Sequence, residues 1–121
     1  MGTGKVLIVD DSRTSRRLLR EMLERNGFEV VGEATNGEEG WQMYGQVKPD
    51  LVTMDITMPK MDGIESLSLI LRDDSEAKII MITAAGQREK MVEAIKRGAF
   101  DFLTKPFDEE KVIQTLKEAL V

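Results

Sequence analysis

Short apolar runs alternate with helix-periodic stretches along this chain, and that alternation constrains the fold more than any other feature. Lys5 to Asp10 (KVLIVD), Asp50 to Asp55 (DLVTMD) and Lys78 to Thr83 (KIIMIT) are near-continuous apolar segments that end on a polar residue. Phe28 to Glu33 (FEVVGE) and Asp101 to Lys105 (DFLTK) are weaker runs of the same kind. Runs that are apolar at nearly every position suit parallel strands covered on both faces. The intervening stretches have helical spacing. Leu18, Leu19, Met22 and Leu23 mark a helix over Ser12 to Asn26, and Asn26-Gly27 is its stop signal. Asn36 with Glu39 resembles a capping box and opens a helix to about Val47, which Pro49 separates from the next strand. Ile64, Leu67, Ile70 and Leu71 mark a helix over Gly63 to Arg72. Met91, Ala94 and Ile95 mark another over Gln87 to Arg97, closed by Gly98. Asp108 caps a last helix carrying Val112, Ile113, Leu116 and Leu120.

Strands that alternate with single helices imply right-handed crossovers and a parallel sheet with helices on both faces. The expected fold class is therefore α/β, doubly wound, a (βα)5 unit. Five strands favour the flavodoxin-like order 2-1-3-4-5. The 121 residues suit one domain with its own core, and no linker or low-complexity stretch divides them, so residues 1–121 are read as a single domain.

The polar ends of these runs fall in a pattern. Asp10 and Asp11 close the first run, Asp55 the third, Thr83 the fourth and Lys105 the fifth. In an open parallel sheet, ligands bind in the crevice beyond the strand carboxyl ends. With the order 2-1-3-4-5, these four strands are neighbours, and their polar ends line one continuous edge. Each residue alone has a commonplace reading. Acids after strands often cap helices, and lysines usually face water. Their coincidence at one edge is what points to a site.

Composition narrows the chemistry of that site. The chain has no cysteine and no histidine. Disulfides, thiolate metal sites, imidazole bases and histidine-ligated zinc are excluded. A bound metal must take oxygen ligands, which points to a hard cation such as Mg2+, with Mn2+ as an alternative. Three clustered aspartates repel one another unless compensated. A divalent cation together with Lys105 neutralises them, and such a site accepts a phosphoryl group without a large electrostatic penalty. A carboxylate can then act as nucleophile and form an aspartyl phosphate. The formal net charge of −5 argues against nucleic acid as a partner. No apolar run approaches the roughly 20 residues of a membrane span, and Met1 to Lys5 contain no apolar signal core. A cytoplasmic, monomeric protein is the expectation.

The segments VLIVDDS (Val6 to Ser12), LVTMDITMPKMDG (Leu51 to Gly63), IIMITA (Ile79 to Ala84) and FLTKPF (Phe102 to Phe107) together resemble the receiver domains of two-component response regulators. The resemblance is closest to the stand-alone chemotaxis type, the CheY-like proteins, and covers nearly the whole chain. It implies that Asp55 is the phosphoacceptor. It also implies that Asp10, Asp11, Asp55 and the backbone carbonyl of Thr57 hold Mg2+, that Lys105 pairs with the phosphoryl group, and that Thr83 donates its hydroxyl to a phosphoryl oxygen. Phe102 takes the place of the switch aromatic, and Lys105-Pro106 that of a cis peptide. The family often has tyrosine at the switch position, so Phe102 lacks a hydroxyl. Thr57 and Ala85 stand at positions that tune dephosphorylation in the family, and the small Ala85 implies a less shielded water.

The implied partners are a sensor histidine kinase, a downstream target such as a flagellar motor switch component, and a phosphatase. The face formed by the fourth helix, fifth strand and fifth helix, roughly residues 87–121, is the implied readout surface. The chain is expected to be a signalling switch rather than an enzyme with a separate substrate. Competing readings are a receiver cut from a larger regulator, an aspartyl-nucleophile phosphatase, and a nucleotide- or flavin-binding module. Adjacent Asp10 and Asp11 do not match the spacing of the phosphatase class, and neither GxxxxGK[ST] nor a GxGxxG after a strand is present.

Overall fold

The computed structural model describes residues 4–121. The elements run β1 (Lys5–Val9), α1 (Arg13–Arg25), β2 (Glu29–Ala34), α2 (Gly37–Val47), β3 (Leu51–Asp55), α3 (Gly63–Asp73), β4 (Ile79–Thr83), α4 (Arg88–Lys96), β5 (Asp101–Thr104) and α5 (Glu109–Leu120). The strands form one sheet in the order β2-β1-β3-β4-β5, and every pairing is parallel. The expected order is thus the observed one. Boundaries differ from the sequence reading by one residue in several places. β1 stops at Val9 and β5 at Thr104, so Asp10 and Lys105 lie one step past their strands. The ladders nevertheless reach them: the Asp10 N–H donates to Ala34 O at 3.0 Å, and the Lys105 N–H to Thr83 O at 2.9 Å.

The apolar runs are continuous because both sheet faces are covered. Val6 and Ile8 of β1, Leu51 of β3, and Ile80 and Ile82 of β4 pack with Leu19 and Leu23 of α1 and with Val112, Ile113 and Leu116 of α5. The alternate residues Leu7, Val9, Val52, Met54, Ile79 and Met81 pack with α3, α4 and the partly buried Trp41, Met43 and Tyr44 of α2. Every residue of β3 and β4 is buried. Each Leu or Ile so buried stabilises the fold by roughly 1.5–3 kcal/mol. Met54 and Met81 fill this core, while Met91 is only half-buried.

The helix starts follow their capping residues. Ser12 accepts from Ser15 N at 3.2 Å, Asn36 from Glu39 N at 2.9 Å, and Asp62 from Glu65 N at 2.9 Å. The return arm of the capping box differs from expectation. The Glu39 carboxylate accepts from the Thr35 N–H at 2.7 Å and from its hydroxyl, one residue before the cap. Asp108 stands at the N-cap of α5, but its side chain makes no capping hydrogen bond. Trp41 and Tyr44 lie away from the carboxyl edge of the sheet. They tie α2 to the end of α3, donating to Asp73 at 2.7 Å and Asp74 at 2.8 Å. Burial and the Asp74 contact both push the Tyr44 phenol above its usual range. No helix among the described residues is long and apolar enough to cross a membrane.

Candidate functional site

The sheet order brings the ends of β1, β3, β4 and β5 side by side, and with them Asp10, Asp11, Asp55, Thr83 and Lys105. Asp10 is buried and Asp11 exposed. Each of the three aspartates offers a carboxylate oxygen, and these oxygens all lie within 4.8 Å of one another. Asp10 is fixed from several sides. One carboxylate oxygen accepts from the Ser12 N–H at 2.8 Å, and the other lies 3.0 Å from Lys105 Nζ. Arg16 of α1 donates from Nη1 to the Asp10 backbone carbonyl at 2.8 Å and ion-pairs with Glu33 of β2 at 3.0 Å.

Asp55 is buried at the carboxyl end of the central strand. Lys105 Nζ stands 3.5 Å from its carboxylate. Burial and the neighbouring Asp10 raise the Asp55 pKa to about 6, against the pull of Lys105, with Asp11 adding to the rise. Burial pulls the Lys105 ammonium down, but Asp10 and Asp55 outweigh it and hold its pKa above the ordinary lysine value. One ammonium thus stands against three carboxylates.

The chain after Asp55 is set by a close approach. Gly63, at the start of α3, lies directly against the Asp55 backbone: a Cβ there would fall inside the van der Waals contact of the Asp55 carbonyl oxygen. The Gly63 N–H donates to Ile56 O at 2.7 Å, closing the loop that carries Thr57 to Asp62. Within it Lys60 adopts a positive φ of 67°. Thr57 is exposed, and its hydroxyl accepts from the Gln87 carboxamide.

Thr83 is buried at the end of β4, and its hydroxyl donates to Leu103 O on β5 at 3.4 Å, a long bond directed at the neighbouring strand. Phe102 is half-buried and packs against the core on the α2–α3–α4 face. The Lys105-Pro106 peptide is cis, as the resemblance implies.

Two residues at this edge were not legible in the chain. Arg16, six residues after Asp10, looks like one of many solvated helix arginines. Gln87 looks like an ordinary helix start. Its carboxamide oxygen accepts from the Ala84 N–H at 2.8 Å, while its nitrogen reaches Thr57. Only the threading of both loops past one sheet edge brings these groups together.

The donor set fits a hard divalent cation. It is all oxygen, compact and short of positive charge, and the chain has no cysteine or histidine to add to it.

Comparison with known proteins gives concordant matches. The profile of the response regulator receiver domain matches residues 6–117. The chemotaxis protein CheY of Thermotoga maritima is 48% identical over 114 residues, covering 94% of this chain and 95% of that protein. The chemotaxis protein CheY of Halobacterium salinarum is 50% identical over 116 residues, covering 96% of each. Among solved structures, the CheX-CheY-BeF3-Mg2+ complex from Borrelia burgdorferi contains a chain 40% identical to this one. It superposes with a TM-score of 0.91 over 97% of this chain and 89% of that one.

Proposed function

This chain belongs to the response regulator receiver domain family and is of the CheY type, and from that premise we propose that Asp55 is its phosphoacceptor in a two-component chemotaxis system. The observation that carries the proposal is the convergence on Asp55. A buried carboxylate at the end of the central strand lies against Lys105 at 3.5 Å, with oxygens of Asp10 and Asp11 within 4.8 Å.

In this reading, an Asp55 carboxylate oxygen attacks the phosphorus of a phosphohistidine on a sensor kinase. An O–P bond forms as the P–N bond breaks. The electron pair of that bond stays on the imidazole nitrogen, which gains a proton from solvent. Asp10, Asp11, Asp55 and the carbonyl of Thr57 would hold Mg2+, which when bound supplies the positive charge that balances the phosphoryl oxygens. Lys105 stays paired with its two carboxylates in the resting protein and turns its ammonium to the phosphoryl group after transfer. Lys105 therefore needs no large movement, because its Nζ already stands beside both acids.

Thr83 and Phe102 report the result. The Thr83 hydroxyl leaves its long bond to Leu103 for a phosphoryl oxygen, and the vacated space lets Phe102 turn further inward. Partner surface then changes along α4, β5 and α5, where Val92, Ile95 and Phe100 are exposed apolar residues. The proposed partners are the kinase, a motor-switch type target and a phosphatase, met in the cytoplasm by a single receiver domain.

The test uses Asp55→Asn with a small phosphodonor and Mg2+. Intact-mass measurement should show a phosphoryl adduct on the wild type and none on the variant, and peptide mapping should place it at Asp55. A variant that still carries the adduct at the same rate would sink the assignment.

A further inference from the structure

The two loops that flank Asp55 are joined across the mouth of the site by a single side chain. Thr57 lies two residues past Asp55, and Ala84 follows Thr83 at the end of the adjacent strand. The Gln87 carboxamide accepts from the Ala84 N–H at 2.8 Å and donates to the Thr57 hydroxyl. Gln87 is half-buried, whereas Ala84, Ala85 and Gly86 before it are exposed. Gly86, at a φ of +88°, turns the chain just before Gln87, whose side chain comes back to Ala84 and across to Thr57.

The position of Gln87 adds a second observation. It is the N-cap residue of α4, where serine, threonine, aspartate or asparagine would satisfy the free N–H groups of the first turn. Gln87 makes no such bond. Its side chain is committed to the two loops instead, and the start of α4 is left without a side-chain cap.

We infer that Gln87 is a latch between the Thr57 and Ala84 loops, closed in the unphosphorylated protein and opened when Asp55 is loaded. The inference rests on Asp55 being the phosphoacceptor. A phosphoryl group on Asp55 brings anionic oxygens to a mouth where the Ala84 N–H is held by a neutral carboxamide oxygen. Hydrogen bonds to an ionised acceptor are roughly twice as strong as neutral ones, so the phosphoryl oxygen displaces the carboxamide. Release of Gln87 frees the N-cap of α4, and the occupancy of Asp55 is transmitted to that helix. Gln87 is a positioning residue in this scheme; it takes no part in the transfer itself.

The test is the affinity of the full chain for beryllofluoride with Mg2+, an analogue of the phosphoryl group that forms no lasting covalent product. Gln87→Leu keeps the bulk and removes both hydrogen bonds. It should bind beryllofluoride more tightly than the wild type, by roughly five-fold for each net hydrogen bond that no longer has to be broken. Asp55→Asn should abolish binding. Loss of binding in Asp55→Asn together with unchanged or weaker binding in Gln87→Leu overturns the latch and leaves the phosphoacceptor assignment standing. Retained binding in Asp55→Asn overturns both. A readout on the wild type removes any dependence on how the variant folds. On adding beryllofluoride, the side-chain NH2 signals of Gln87 should shift together with the Ala84 amide. A shifted Ala84 amide with unmoved Gln87 signals would also overturn the latch.

Discussion

The loops after β1 and β4, on either side of the strand that carries Asp55, are held in opposite ways. The loop after β1 is tied from every side. Asp10 is bonded through its carboxylate to Ser12 and Lys105, through its carbonyl to Arg16, and through its N–H to Ala34. The loop after β4 presents three exposed residues in a row and depends on one carboxamide for its hold on the neighbouring loop. An acid fixed in place, as Asp10 is, can bind a cation without rearranging, which is what preorganisation requires. A loop held by two exchangeable hydrogen bonds lies at the low-stability end of the structure, where switching elements are found. On the proposed function, the first would be a fixed half that receives and the second a movable half that responds.

The contrast can be broken most sharply at the junction of β3 and α3, which belongs to the fixed half. Gly63→Ala places a methyl against the Asp55 carbonyl oxygen and against Met54. Backbone must shift, and the expected loss is about 3 kcal/mol, the upper part of the usual overpacking range, read from the urea midpoint. An unchanged midpoint would show that this junction is as yielding as the loop after β4.

Lys105→Met gives a smaller effect. It leaves two buried carboxylates without their ammonium. The cost in the absence of divalent cation is about 1–2 kcal/mol, reduced from that of a fully buried pair because Lys105 is 25% exposed. Millimolar Mg2+ should then raise the thermal midpoint of the variant more than that of the wild type, since the cation becomes the sole compensation. Equal increments in the two proteins would remove Lys105 from the charge balance of the site.

The least effect is expected behind the fixed loop, where Arg16 and Arg20 pair with Glu33. Burial opposes ionisation of Glu33, but the two guanidinium groups outweigh it and hold its pKa below the ordinary value of 4.5. A depressed carboxylate pKa stabilises the fold above the unfolded value, and that contribution is lost as pH falls through the folded one. Glu33→Gln should therefore lower stability slightly at pH 7, by less than about 1 kcal/mol, read as a small drop in thermal midpoint. Wild type and variant should converge as pH falls below about 4.5. A gap that persists at lower pH would assign the effect to packing.

The fold was largely legible in the chain because its signals are redundant. KIIMIT reads as a buried strand, and Asn36 occupies a helix start where a short polar side chain has one obvious use. The clustering of Asp10, Asp11, Asp55 and Lys105 was legible for a topological reason: once strand order is known, residues at strand ends are neighbours. What was not legible depends on side-chain direction. Glu39 reaches Thr35 and bypasses the N–H of Asn36, and Thr83 turns its hydroxyl to Leu103. Arg16 sits on a helix and Gln87 just before one, among other polar residues, and periodicity cannot distinguish a polar side chain that faces water from one that reaches a loop.

The contact of Gly63 with the Asp55 backbone has a mechanical consequence. It clamps the root of α3 to the very residue that would carry the load. A clamped beam does not pivot at its support. On the proposed function, a push delivered at Asp55 would travel with α3 as one body, and the displacement would leave through the exposed segment that Gln87 holds. In that reading, direction of travel would be set by where stiffness ends, one strand over from the point where force enters.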